Sequence, residues 1–382
     1  MNYRYKSAIL GIISTFLAIT FPKQLTFAAE NSSSNRSAAR IAYLARDIKF
    51  PPVLYDSIRV VNSDGSNKHT FTHKEEFVNN LSWSPDGRQL RFGNVFGNVL
   101  WGSCNIDVID SGGINRKRLA ENGPYDEIAW SPDGKEIAFV KRDSRKVEGH
   151  DHDLFVMNSD GSNVRNLTNS PAFYATPAWS PKGDKLAFTG SIKVVTGPFA
   201  ISRIGFFGRD ESNFTRLRGL EKLMPAVEPG PVDENGIRYK DIDYNLSWFP
   251  DGSRILINNP PYKIRVVNLD GSGMLALATG EYGSPSPDSS KIVFQGRENG
   301  NYEIYVMDAN GNNQVNITKN PAEDYHPLWG PDGQNIFFIS RRVDLPGIYC
   351  MNSDGSDVKR VVTDFFKLNG TMHQEYFYTI SR

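Results

Sequence analysis

Six histidines and a recurring set of polar residues beside tryptophans are where chemistry could sit in this chain. The densest cluster is Glu148–Asp153, which reads EGHDHD. His150 and His152, alternating with Asp151 and Asp153, are the residue types that ligate a divalent metal. Alternate residues on a loop rarely preorganise a site, so a solvated polar loop is the preferred reading, and neither a metal nor a cofactor is expected. A second group is spread out. Asn80, Glu127, Thr176, Asn245, Tyr282 and His326 each stand three residues before a tryptophan or its substitute. Residues of one structural position, mostly polar, form a ring if the units that carry them are arranged around an axis. They are the candidate binding residues, together with His150 and His152. A hydrated channel without ligand is the plainer reading of that ring.

The elements that must position them are legible as a repeat. W-S-P-D-G stands at Trp83–Gly87 and Trp130–Gly134, with variants WSPKG at Trp179, WFPDG at Trp248, SPDSS after Pro285 and WGPDG at Trp329. The anchors are 47, 49, 69, 37 and 44 residues apart. A second marker alternates with the first: NSDGSN at Asn62, DSGGIN at Asp110, NSDGSN at Asn158, NLDGSG at Asn268, DANGNN at Asp308 and NSDGSD at Asn352. A degenerate copy, RDESN, starts at Arg209.

Pro-Asp-Gly and Asp-Gly set tight turns: Pro fixes φ, Asp bonds back to the backbone and Gly takes φ > 0. The flanks, such as KEIAFV at Lys135 and IYVMD at Ile304, are short apolar runs rich in β-formers and fit buried strands. Each unit is strand A, Pro-Asp-Gly turn, strand B, loop, strand C, Asp-Gly turn, strand D. Four antiparallel strands in 40–50 residues are a propeller blade.

The fold class is therefore all-β, one propeller of four-stranded blades over residues 40–382. Over those 343 residues seven blades give 49 residues each and six give 57, so seven is favoured and six is the alternative. Arg40–Asp47 matches strand B, which leaves the first blade without strand A. The tail Thr371–Arg382 is strand-like and is expected to supply it, closing the ring and removing a free edge. The tryptophans, constant in the repeat, read as core packing between blades and not as sugar-stacking platforms.

Residues 1–28 read as a cleaved export signal: Arg4 and Lys6, then an uncharged Ala8–Phe21, then Thr26-Phe27-Ala28. The apolar run is shorter than a membrane span needs. Residues 29–39 are a polar linker. The mature protein is expected in the periplasm or outside the cell, without a stable membrane span. Its two cysteines, Cys104 and Cys350, fall in different blades and are expected to be free thiols. With 43 basic and 43 acidic residues, a nucleic-acid partner is not expected.

The consensus WSPDG-x-x-IAF…IYVMNxDGSNxxxLT resembles the repeats of the TolB-like propeller family, over essentially all of residues 40–382. The resemblance implies a periplasmic or secreted propeller that works by binding other molecules. TolB itself carries an α/β domain before a six-bladed ring, whereas here a short linker precedes seven counted units, so TolB's own partners are not carried over. Related repeats occur beside hydrolase domains, but no G-x-S-x-G nucleophile elbow accompanies them here.

Two functions follow as expectations. The first is a non-catalytic, monomeric scaffold that binds a protein partner through the face bearing the long B–C and D–A loops, which differ in every blade. The insertion Gly219–Asp243 lies on that face. The alternative is a carbohydrate-active propeller, lyase or lectin, that uses the polar funnel and its histidines.

Overall fold

A computed structural model describes residues 39–49, 53–72, 77–96, 103–123, 125–142, 152–168, 172–193, 200–209, 215–216, 245–259, 263–298, 300–342, 347–363 and 378–381. The export segment, nearly all of the linker, the insertion at 219–243, and His73, His150 and His373 lie outside them.

Blade one opens with β1 (Arg40–Lys49), β2 (Val53–Asn62) and β3 (His69–Thr72). Blade two is β4 (Phe77–Trp83), β5 (Gln89–Phe96), β6 (Ser103–Asp110) and β7 (Lys117–Gly123). Blade three is β8 (Tyr125–Trp130), β9 (Glu136–Arg142), β10 (His152–Asn158) and β11 (Arg165–Asn166). Blade four is β12 (Ala172–Trp179), β13 (Lys185–Lys193), β14 (Ala200–Gly208) and β15 (Thr215–Arg216). Blade five is β16 (Asn245–Trp248), β17 (Arg254–Asn259), β18 (Lys263–Asn268) and β19 (Leu275–Thr279). Blade six is β20 (Glu281–Pro285), β21 (Lys291–Glu298), β22 (Asn301–Asp308) and β23 (Val315–Asn316). Blade seven is β24 (Asp324–Trp329), β25 (Asn335–Ser340), β26 (Gly347–Asn352) and β27 (Lys359–Val362).

The last strand, β28 (Tyr378–Ser381), returns to blade one and pairs antiparallel with β1, from Arg40↔Ser381 to Tyr43↔Tyr378. The sheet order β28-β1-β2-β3 makes the C-terminal strand the innermost strand of the first blade, so the ring has seven blades and closes on its tail. Neighbouring blades touch chiefly through their first strands, which surround the axis.

Among the described residues seven core clusters lie between the blades, one per boundary. Ile41 and Tyr43 meet Phe337 and Ile339 where the seventh blade meets the first, and the same pairing of neighbours continues around the ring. Volumes are matched across each boundary. Where the next blade presents a tryptophan, the third residue of the preceding B strand is often alanine: Ala42 packs with Trp83, Ala138 with Trp179 and Ala187 with Trp248. Where Pro285 replaces the tryptophan, that residue is Leu256, packed on Ile292. A close-packed interior requires such compensation. Trp83, Trp130, Trp179 and Trp329 are buried, as core tryptophans are. Trp248 donates its indole N–H to the Ala178 carbonyl at 2.9 Å, and Trp329 donates to the Ser284 carbonyl at 3.1 Å. At these two boundaries the small residue before the preceding blade's tryptophan position thus seats the indole, whereas the buried indole N–H groups of Trp83, Trp130 and Trp179 have no hydrogen-bond partner.

The A–B turns are built alike. In the first, Asp86 Oδ1 accepts from the Ser84 hydroxyl at 2.6 Å and from the Arg88 N–H at 3.0 Å. Where Lys182 replaces that aspartate, Ser180 turns to Asp184 at 2.7 Å. Gly134, Gly183, Gly252 and Gly333 have φ between 67° and 72°. A Cβ at each would lie 3.8, 3.4, 4.0 and 3.6 Å from Pro85, Pro132, Pro181 and Pro287 of the preceding blade's turn. The turns therefore overlap around the ring. In blade six Ser289 takes the glycine's place at φ 62°, and its hydroxyl accepts from the Asp251 N–H at 3.0 Å.

Candidate functional site

Four of the six residues that stand three before a tryptophan or its substitute share a backbone conformation. Glu127, Thr176, Tyr282 and His326 have φ of 42°, 52°, 51° and 53°. The left-handed region is uncommon for such side chains, and it coincides here with a register shift in β8, β12, β20 and β24. A β-bulge re-aims a side chain at the cost of ladder pairing. Strand β4 shifts register between Asn79 and Ser82, across Asn80. Of Asn80 and Asn245 only the backbone is described, in β4 and β16. The innermost strands of blades two, three, four, six and seven thus bulge at one place of the repeat, which brings Glu127, Thr176, Tyr282 and His326 to equivalent positions, whereas β16 pairs with β17 in unbroken register through Asn245.

The bulge amides have partners in the preceding blade. The Thr176 N–H donates to the Glu127 carboxylate. The Gly283 N–H donates to Asn258 Oδ1 at 2.9 Å, and the His326 N–H to Gln295 Oε1 at 2.8 Å. Asn258 and Gln295 were not singled out by the sequence. Their signal is a polar residue at the fifth place of the B strand, after three apolar residues, in RILIN and KIVFQ.

Titratable groups concentrate where blades six and seven meet. The rings of Tyr282 and His326 lie 4.2 Å apart, and Tyr325 stands edge-on to His326 at 5.2 Å. Burial, aided by the Arg341 charge, lowers the His326 pKa to about 4, so the imidazole is neutral at pH 7. Tyr282 and His326 both keep part of their surface exposed. Gln295 links to Glu281 at 3.0 Å, and burial raises the Glu281 pKa. Asp324, with no exposed surface, has its pKa raised to about 6, chiefly by burial, against the pull of Ser340 and Arg342. Arg342 lies 3.6 Å from it. Such a sector suits recognition of a polar or ring-shaped group, with neutral imidazole as acceptor and a carboxyl poised to hold a proton.

Of the EGHDHD segment only His152 and Asp153 lie among the described residues, and both belong to a strand and not to a loop. His152 begins β10, is buried and pairs in parallel register with Phe173 of β12. Asp153 is buried too and accepts from Thr168 Oγ1 at 2.7 Å and Asn166 Nδ2 at 3.2 Å. Glu303 repeats this bond with Thr318 in blade six, so the carboxylate belongs to the blade's own architecture. Among the described residues no three His, Cys, Asp or Glu side chains are grouped to hold a metal. Cys350 is a free thiol, its pKa raised to about 11 chiefly by burial. Among the described residues no helix is long and apolar enough to cross a membrane.

Fold and ring define a closed seven-bladed propeller with a bulged polar inner rim. The family described as the TolB beta propeller domain matches residues 34–193 and 247–374, and the chain belongs to it. A Tol-Pal system protein TolB of Geobacter sulfurreducens is 35% identical over 72 residues, 19% of this chain and 16% of that protein. An uncharacterised protein of Agrobacterium fabrum is 24% identical over 214 residues, 52% of this chain and 61% of that one. The chain thus spans less than two thirds of the length of either relative. Among solved structures, the propeller domain of the Trilobed protease from Pyrococcus furiosus matches with TM-score 0.60 and 12% identity, over 85% of this chain and 97% of that one. Oligogalacturonate lyase from Vibrio parahaemolyticus matches with TM-score 0.58 and 14% identity, over 87% and 89%. At these identities the likeness is one of fold.

Proposed function

We propose that this chain is an exported, non-catalytic propeller that binds a protein partner in the cell envelope or outside the cell, through its long-loop face. The observation that carries the reading is the overlap of the Pro-Asp-Gly turns. Their glycines sit on the preceding prolines, and their carboxylates are engaged in closing the turns. The Asp-Gly turns beside them are engaged likewise: Asp64, Asp160 and Asp354 each accept from the serine two residues on. A face built from one repeated motif has little with which to tell partners apart. The opposite loops differ in every blade and carry the insertion.

The test is capture and cross-link mapping with the full chain against an envelope extract, followed by variants. Deletion of residues 225–236, or charge reversal at Glu148 and Asp151, is expected to weaken capture at unchanged melting temperature. Asp153 is left out of that set because it is buried and bonded. Changes at Asp64, Asp160 or Asp354 are expected to lower stability with little specific loss of capture. A footprint centred on the turn face ends the proposal.

The Tyr282–His326 pair supports a second reading, a carbohydrate-active ring, since an aromatic face beside carboxyls is what binds and polarises a sugar. Calorimetric titration with oligogalacturonate, the compound named in the Vibrio neighbour, separates the two. Saturable heat abolished by Tyr282→Ala favours the second reading; its absence favours the first.

A further inference from the structure

We propose that Arg91 anchors a binding site for a small monovalent anion, chloride or a carboxylate group, between the innermost parts of blades two and three. Arg91 occupies the third place of its B strand, β5. In the other blades that place holds Ala42, Ala138, Ala187, Leu256, Val293 and Phe337, all apolar and buried. Arg91 is itself only 2% exposed. A cation put where six equivalent positions are apolar needs a reason, because burying an uncompensated charge costs several kcal/mol.

The guanidinium is half satisfied. Nη2 donates to the Ser82 hydroxyl and to the Ile128 carbonyl, both at 2.8 Å, bridging blade two to the bulged strand of blade three. Nε and Nη1 are buried without a hydrogen-bond partner. The nearby acids are committed elsewhere. Asp107, on the strand paired with β5, is held by Arg116 and Arg118 at 3.0 and 2.9 Å. Glu127, the neighbour of Ile128, receives the Thr176 N–H. Burial lowers the Arg91 pKa to about 9, which leaves it charged at neutral pH.

What fits is an anion of single charge that accepts from Nη1 and from Ser82. The Ser82 oxygen accepts from Nη2, so its own proton is available to donate. A guanidinium–anion contact of this kind is a strong, charge-assisted bond in a dry setting. Two sources share the chemistry: an inorganic ion lodged between the blades, or the carboxylate of a ligand reaching in from the axis.

The test is thermal unfolding of the full chain at fixed ionic strength, with chloride or formate replacing the bulky sulfonate anion isethionate, which carries no carboxylate. The wild type is expected to gain melting temperature with rising chloride or formate, as a native-state ligand requires. Arg91→Leu, which installs the residue blade five uses at this place, is expected to lose that response. Chloride acting alone assigns the site to an inorganic ion; formate acting without chloride assigns it to a ligand carboxylate. Equal responses in wild type and variant, or no response in wild type, overturn the proposal. Should Arg91→Leu fail to fold, Arg91→Lys keeps the charge but loses the Nη1 donor, and its apparent anion affinity is expected to fall about tenfold. An unchanged affinity there overturns the proposal as well.

Discussion

His326 donates its backbone N–H to the side chain of Gln295, at 2.8 Å, across the boundary between the sixth and seventh blades. The bond is one of a set. Asn258 serves Gly283 in the same way one boundary earlier, and Glu127 serves Thr176 further back. A bulge in the innermost strand leaves an amide off the ladder, and the preceding blade supplies the acceptor. The polar rim is therefore held by contacts between blades, and its left-handed residues persist because the neighbours fix them.

Removing one acceptor should expose that dependence. Gln295→Leu keeps the volume near that of the leucine which blade one has at this place, Leu44, but orphans the His326 N–H. The expected loss is about 1–3 kcal/mol, the desolvation cost of an unpartnered buried donor. Urea unfolding measures it. A loss within the ordinary scatter of surface changes, about 0.5 kcal/mol, would show that the bulge does not need its acceptor.

Asp324 and His326 should give opposite pH dependences in an overlapping window. The folded pKa of Asp324 is raised from 3.8 to about 6, so the fold prefers its protonated form. Its carboxylate weakens the fold at pH 7, and stability is regained as pH falls through about 6 toward 4. The folded pKa of His326 is lowered from 6.5 to about 4, so the fold prefers the neutral ring. That contribution is present above pH 6.5 and is lost as pH falls toward 4. The two nearly offset each other in the wild type. In Asp324→Asn acidification from pH 7 to 4.5 should destabilise; in His326→Asn, a residue suited to φ 53°, it should stabilise. Melts of both variants across that range decide it. Parallel slopes would mean that neither shift is real.

The sequence carried the architecture because turn chemistry is local. Pro-Asp-Gly and Asp-Gly act within five residues, so each blade announces itself, and the missing first strand A announces the closure. It also pointed to the bulged ring, since those residues stand at a fixed offset from the tryptophan. It did not show why they differ from their neighbours. The acceptors lie 31, 25 and 49 residues away, in another repeat, and only the closed ring brings them together. His152 and Asp153 misled for a related reason: a polar run beside a loop looked solvated, while pairing with Arg142 and bonding to Thr168 made it strand. Arg91 escaped notice because a single charge in a strand has no local signature.

The volume matching between blades can be tested by a double-mutant cycle. Ala138 and Trp179 share one cluster across the third boundary. Ala138→Leu alone should cost about 1–3 kcal/mol by overpacking. Trp179→Ala alone should cost about 3–5 kcal/mol through the cavity it leaves. Together they should cost less than the sum, by about 0.5–3 kcal/mol, because the added leucine fills part of the vacated space. Strict additivity, measured by denaturant unfolding, would mean that the two side chains do not share a boundary.

The closing strand is the last test, and it concerns the whole ring. Four residues, Tyr378–Ser381, pair with Arg40–Tyr43 and complete blade one. Without them β1, which carries Ile41 and Tyr43 of the cluster shared with Phe337 and Ile339, becomes an unpaired inner edge. Every other boundary is closed by chain continuity; this one is closed by pairing alone. A chain ending at Phe377 should therefore melt markedly lower than the full chain and lose two-state behaviour, with blades one and seven opening first. Hydrogen exchange locates the opening: amides of β1 and β25 should lose protection before those of β17 and β21. Addition of a peptide with the sequence of residues 371–382 should restore part of the lost melting temperature. An unchanged melt, or protection lost evenly around the ring, would show that the tail strand is not what holds the propeller closed.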